Sequence, residues 1–135
     1  MEYKEPRAGS SPSRIILADD HPLFRSALRR VLDAQADLEV VGEASDGQEA
    51  VELCRRFSPD LVLMDVRMPT MDGLEATRQI KGELPRTIVL VLTELKDPNH
   101  LSEVLEAGAA GYVLKSAPIT EIVDAVRKVL VGESL

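Results

Sequence analysis

Asp19, Asp20, Asp65, Thr93 and Lys115 are the residues whose types and spacing could do chemistry together. Each stands directly after an apolar run. Ile15-Ile16-Leu17-Ala18 leads into the acidic pair, and Leu61-Val62-Leu63-Met64 leads into Asp65. Ile88-Val89-Leu90-Val91-Leu92 precedes Thr93, and Tyr112-Val113-Leu114 precedes Lys115. Such runs, bounded by turn signals, read as buried strands of a parallel sheet. Ligands of open α/β sheets bind just outside the carboxyl ends of the strands, so all five side chains are expected at one rim. Three carboxylates crowded there raise one another's pKa. A divalent cation removes the conflict, and hard oxygen donors suit Mg²⁺. Asp65 can then act as a nucleophile toward phosphorus. The Lys115 ammonium would share the charge of the transferring oxygens, and the Thr93 hydroxyl would donate to one of them. Taken singly each residue has a plain explanation, since an acid ahead of Pro22 can simply cap a helix. Five of them at four strand ends do not.

The elements that must position these residues follow from periodicity. Met1 to Ser13 has two prolines, a Gly-Ser-Ser and no apolar periodicity, and reads as a disordered leader ahead of a domain over residues 14–135. Pro22 suits the first turn of a helix in which Phe24, Ala27, Leu28 and Val31 form the apolar stripe, with Arg25, Arg29, Arg30 and Asp33 toward water. Leu38 to Ala44 alternates apolar and polar, as a half-exposed edge strand should. Asp46 with Glu49, and Asp72 with Glu75, resemble capping boxes. The first of these helices buries Ala50, Leu53, Cys54 and Phe57 and stops at Ser58-Pro59. The second turns Leu74, Thr77 and Ile80 inward and ends at Gly82. Asp97-Pro98 opens a helix with Leu101, Val104 and Leu105 as its stripe and Gly108 as its stop. Pro118 opens the last, which packs through Ile119, Ile122, Val126 and Val129. Five strands alternating with five helices make a doubly wound parallel sheet, in the flavodoxin-like order 2-1-3-4-5.

Composition narrows the function. The formal charge is -7, from 16 basic and 23 acidic residues, which disfavours nucleic-acid binding by these residues themselves. Aromatic residues are 3% of the chain and Trp is absent, so the core must be aliphatic. The single cysteine, Cys54, excludes an internal disulfide and a cysteine-based zinc site, and reads as a small buried residue. No stretch approaches the ~20 apolar residues of a membrane span. The N-terminus has no apolar signal-peptide region, so a cytoplasmic location without membrane contact is the expectation.

Residues 14–135 resemble the receiver domain of a bacterial two-component response regulator. The matching stretches are Asp19-Asp20, Met64-Asp65 with Met68-Pro69 and Asp72-Gly73, Leu92-Thr93, and Gly111-Tyr112-Val113-Leu114-Lys115. The resemblance implies that Asp65 is phosphorylated by a sensor histidine kinase. It implies that Asp20 and Asp65 ligate Mg²⁺ directly, with Asp19 acting through a water and the backbone carbonyl of Arg67 completing the protein ligands. Lys115 would contact the phosphoryl group. Thr93 and Tyr112 would form the switch that reports phosphorylation to the face of the fourth helix, fifth strand and fifth helix, favouring a homodimer. Asp19-Asp20-His21-Pro22-Leu23-Phe24-Arg25, Ala107-Gly108-Ala109-Ala110-Gly111-Tyr112 and Gly132-Glu133-Ser134-Leu135 resemble the NarL/FixJ-like group that carries a LuxR-type helix-turn-helix domain. Transcriptional output would then run through a C-terminal DNA-binding domain absent from this chain. No catalytic turnover is implied beyond self-phosphorylation from phosphodonors and slow autodephosphorylation.

Two departures from the family pattern stand out. Ser116 and Ala117 separate Lys115 from Pro118, so a cis bond directly after the lysine is not expected, a non-proline cis peptide costing ~3 kcal/mol. Arg67 and Leu95 occupy positions that tune phosphoryl lifetime in the family. His21 reads as a helix-start residue rather than a ligand or phosphodonor. An aspartate-nucleophile phosphatase of the Asp-x-Asp type is the rival enzyme, but its second acid is here Arg67, which donates no proton at neutral pH. A flavin module would need a phosphate cradle where Asp19-Asp20 stand. A free-standing receiver acting by protein contact alone is the remaining alternative.

Overall fold

The computed structural model describes residues 11–94 and 98–133. They form β1 (Ser13–Ala18), α1 (Pro22–Asp33), β2 (Leu38–Ala44), α2 (Gly47–Phe57), β3 (Leu61–Asp65), α3 (Gly73–Glu83), β4 (Ile88–Thr93), α4 (Pro98–Glu106), β5 (Gly111–Leu114) and α5 (Ile119–Leu130). The sheet is parallel throughout, in the order β2-β1-β3-β4-β5, as the flavodoxin-like reading requires.

The continuous apolar runs are explained by two cores, one on each face of the sheet. Along each inner strand alternate side chains serve opposite faces. Ile16, Val62, Met64, Val89 and Val91 meet Ala50 and Cys54 of α2, Ala76 and Ile80 of α3, and Val104 of α4. Ile15, Leu17, Leu61, Leu63, Leu90 and Leu92 meet Leu28 and Leu32 of α1 and Ile122 and Val126 of α5. A strand with both faces covered has no position for a polar residue until it leaves the core, and that exit is where the reactive groups stand.

Both acidic caps form. Asp46 accepts from the Glu49 N–H at 2.8 Å and Asp72 from the Glu75 N–H at 2.9 Å, while the Glu49 carboxylate returns to the N–H of Ser45 rather than of Asp46. Several expectations need correction. Ser13 belongs to β1 and not to the leader, because its N–H pairs with the Asp37 carbonyl at 2.9 Å. In α1 the buried residues are Leu28 and Leu32, with Phe24 and Val31 packed beside them, whereas Ala27 is exposed. Arg25 and Arg29 do not simply face water but pair with Glu43 of β2. Helix α3 runs through Gly82 to Glu83, and Leu84 leaves helical geometry ahead of Pro85, which disfavours helix in the residue before it. Leu105 is 52% exposed, because α4 packs through Val104. Gly108 does stop α4, at φ 104°.

Candidate functional site

Register brings the reactive residues to one rim. Ala18 pairs with Met64 across β1 and β3, Asp65 with Leu92 across β3 and β4, and Thr93 with Leu114 across β4 and β5. The next residue along β1 is Asp19 and the next along β5 is Lys115, whose N–H donates to the Thr93 carbonyl at 2.8 Å. Asp19, Asp65 and Thr93 are buried, at 2%, 5% and 2% exposure. His21, Asp65, Arg67, Thr93 and Lys115 line one small pocket.

The Lys115 ammonium is the hub. It lies 2.8 Å from Asp19 Oδ2 and 3.2 Å from Asp65 Oδ2. Nδ1 of His21 is 2.8 Å away, and the ring of Phe24 stands 4.9 Å from the ammonium, at cation–π distance. Burial pushes the Asp65 carboxyl above the ordinary aspartate range and the neighbouring Asp19 charge pushes it further, against the pull of Lys115. Burial draws the Lys115 ammonium down, but bonding to Asp19 and the charges of both carboxylates outweigh it, and the net direction is up. Lys115 answers two buried carboxylates with one ammonium, so the site carries an excess of negative charge.

A cation fits that excess. Asp19, Asp20, His21 and Asp65 each place a ligand atom within 4.8 Å of the others. Asp19 Oδ2 has the Lys115 ammonium at 2.8 Å, whereas Asp20 Oδ1 is buried with only the His21 ring nitrogen at 3.3 Å and no hydrogen bond. A buried carboxylate oxygen so placed costs free energy that a hard cation recovers. Three oxygen-bearing acids around one point suit Mg²⁺ better than a softer metal.

The structure thus brings together Asp19, Asp20, Asp65, Thr93 and Lys115, with Arg67 at the pocket edge and its side chain exposed. Tyr112 is half-buried and packs against the core beneath α4. Leu95 lies outside the described residues. His21 does start α1, yet its ring also reaches Asp19, at 3.2 Å, and Lys115. Three contributors were not anticipated. Arg25 donates to the Asp19 carbonyl at 2.6 Å while paired with Glu43, which fixes the backbone carrying the acidic pair. Phe24 faces Lys115, and His100 of α4 reaches Thr93. Arg25 and Phe24 stand within four residues of His21, but only the docking of α1 on β1 and β2 gives them these partners.

The family model for the response regulator receiver domain matches residues 15–127. The chain belongs to the response regulator receiver family. Receiver domains are phosphorylation-dependent signalling modules, and the doubly wound sheet with its acidic rim is that fold. The transcriptional regulatory protein LiaR of Bacillus subtilis (strain 168) is 48% identical over 120 residues, 89% of this chain and 57% of LiaR. The response regulator protein VraR of Staphylococcus aureus (strain Mu3 / ATCC 700698) is 43% identical over 122 residues, 90% of this chain and 58% of VraR. The chain therefore spans just over half the length of these regulators. The signal receiver domain of NarL from Mycobacterium tuberculosis superposes with a TM-score of 0.87 at 41% identity, covering 92% of this chain and 100% of that one. A LuxR-family two-component response regulator from Aurantimonas sp. SI85-9A1 gives 0.86 at 39% identity, covering 92% and 89%. These likenesses place the receiver with the LuxR-type group. Among the described residues no helix is long and apolar enough to cross a membrane.

Proposed function

We propose that Asp65 accepts a phosphoryl group from the phosphohistidine of a sensor histidine kinase, and that the change is passed to a transcriptional DNA-binding domain outside these residues. The observation that carries this reading is a buried carboxylate at the end of a central strand with the Lys115 ammonium 3.2 Å from its Oδ2. An Asp65 carboxylate oxygen attacks phosphorus, and an O–P bond forms as the P–N bond to the donor imidazole breaks, its electron pair leaving with that nitrogen. The attacking group must be ionised. Burial and Asp19 oppose ionisation, and Lys115 favours it.

Asp19, Asp20, Asp65 and the main-chain carbonyl of Arg67 would hold Mg²⁺. When bound it supplies positive charge to the carboxylates and to the oxygens of the transferring group. Lys115 shares the latter task, and the Thr93 hydroxyl donates to a phosphoryl oxygen. The space that Thr93 vacates is taken by the Tyr112 ring, which alters the face of α4, β5 and α5 and promotes a homodimer. These are local charge and packing events biasing a two-state element. Arg67, exposed at the pocket edge, and the residue type at position 95 make autodephosphorylation slow, since neither offers an amide or carboxylate to orient a hydrolytic water. A histidine kinase offers its phosphohistidine in the cytoplasm, which sets the location.

The test is intact mass after incubation with Mg²⁺ and acetyl phosphate. One phosphoryl group should be gained, labile to hydroxylamine, and lost in Asp65→Asn or with EDTA. Undiminished labelling of the Asn variant overturns the assignment.

A further inference from the structure

Oγ1 of Thr93 lies 3.3 Å from Nε2 of His100, in the first turn of α4. Thr93 is buried at the pocket and His100 is half-buried above it. We propose that His100 is a positioning residue, tying α4 to the Thr93 hydroxyl in the unphosphorylated protein, and that a phosphoryl group on Asp65 competes with it for that hydroxyl. This rests on the reading of Asp65 as the phosphoacceptor.

The backbone of Thr93 has little freedom. It is paired with Leu114 on β5, and its carbonyl accepts from Lys115. A β-branched side chain is stiff at χ1, so the hydroxyl changes partners by moving between discrete wells rather than by drifting. Whichever of the two groups holds the proton, an oxygen recruited toward Asp65 loses its aligned contact with a ring on α4.

Helix α4 is placed to respond. Val104 is its one buried side chain, and Leu105, on the same helix, is 52% exposed. Elements with few buried apolar contacts open most readily, so a polar tie in the first turn contributes to what fixes such a helix. The His100 contact thereby couples the chemistry of the pocket to the α4 surface at the β4 end, through the same Thr93 movement that Tyr112 answers at the β5 end.

The experiment is hydrogen exchange of α4 amides in the whole chain, comparing His100→Leu, His100→Gln, Thr93→Val and the His100→Leu/Thr93→Val double variant, with and without Mg²⁺ and beryllofluoride. Without additives, His100→Leu and Thr93→Val should each raise α4 exchange about fivefold, the factor set by one hydrogen bond of ordinary net strength. The double variant should exceed neither single one, and His100→Gln, which keeps a hydrogen-bonding amide, should stay near wild type. Beryllofluoride should raise α4 exchange in wild type and change it little in His100→Leu. Unchanged exchange in His100→Leu, or effects that multiply in the double variant, overturns the tie, because a ring that only fills space acts independently of Thr93. A wild type whose α4 exchange ignores beryllofluoride while Asp65 is still labelled by acetyl phosphate overturns the competition alone, and loss of the labelling overturns the Asp65 reading beneath it.

Discussion

Gly73→Ala tests how closely α3 is pressed against the strand that carries Asp65. The Gly73 N–H donates to the Val66 carbonyl at 2.8 Å. A Cβ on Gly73 would stand 2.1 Å from the Asp65 carbonyl oxygen and 2.9 Å from Val66 Cα. Both are backbone atoms and cannot rotate away. Real Cβ contacts do not fall below 3.0 Å, so relief needs 3.0 less 2.1, at least 0.9 Å of backbone movement. If α3 yields, it withdraws Leu74, Ala76 and Ile80 from their core, an overpacking cost of about 1–3 kcal/mol. If β3 yields instead, Asp65 leaves its alignment with Lys115, and a displacement near 1 Å can cost about a hundredfold in rate. Urea unfolding reads the first outcome, and the rate of labelling by acetyl phosphate, followed by intact mass, reads the second. Gly82→Ala is the control: nothing lies within 4 Å of its added Cβ, and an exposed helical alanine should stabilise by ~0.5–1 kcal/mol. Gly73→Ala should lose at least about 1 kcal/mol or about tenfold in labelling rate. A variant that matches wild type in both refutes the close approach as a constraint.

Four further outcomes are expected. Asp65 has a folded pKa above its unfolded one, so its contribution to stability is present below the ordinary aspartate range and lost as pH rises through the folded value. In EDTA, Asp65→Asn should therefore melt higher than wild type at pH 7, the gap closing in acid, while Mg²⁺ should raise the wild-type melting temperature alone. Burial holds the Cys54 thiol up to about 12, so a thiol reagent at pH 8 should modify it only after denaturant is added. The Arg67→Asn, Leu95→Glu double variant should lose its phosphoryl group faster than wild type in a decay time course, since polar side chains there can orient water; equal decay rates would exclude control by these positions. Even when phosphorylated, the 135-residue chain should bind no specific DNA at physiological salt in a gel-shift assay, because its charge is -7.

Much of the rim was legible because strands buried on both faces leave one pattern: apolar residues until the core ends, then the functional group. Asp65, Thr93 and Lys115 are readable from that pattern alone, and parallel pairing does the rest. The helices were less legible, since periodicity gives the angle of a side chain about its helix but not what another element sets opposite. Arg25 has the position of a water-facing residue, yet Glu43 of β2 and the Asp19 carbonyl meet it there. Leu105 has the spacing of a core residue, yet α4 touches the sheet through so narrow a line that Leu105 falls outside it. Gly82 looks like a stop because glycine is a poor helix former, a cost of ~1 kcal/mol that a packed helix absorbs. Thr70 carries φ 69° in the loop after β3, a left-handed conformation that a β-branched residue seldom takes, and no residue type could have announced it.

The position of Lys115 ties resting state to response. Its ammonium lies nearer to Asp19 than to Asp65, 2.8 Å against 3.2 Å, and also touches His21 and Phe24 at the start of α1. In this arrangement it is the compensating charge for the Asp19 and Asp65 carboxylates, while burial first, and then the Asp19 charge, hold the Asp65 carboxyl above its ordinary range. Phosphorylation replaces the single negative charge of the Asp65 carboxylate with a phosphoryl group of about -1.5 to -2, a net gain of up to about one negative charge close to that ammonium. Lys115 cannot serve Asp19 and the new oxygens equally, so the proposed transfer obliges it to change partners and leaves Asp19 dependent on a cation and on donors from α1. The group that most stabilises the unphosphorylated pocket is thus the one whose release phosphorylation requires. Removing it, as in Lys115→Ala, should weaken the pocket before reaction, so that labelling of Asp65 by acetyl phosphate, followed by intact mass, persists at a reduced rate.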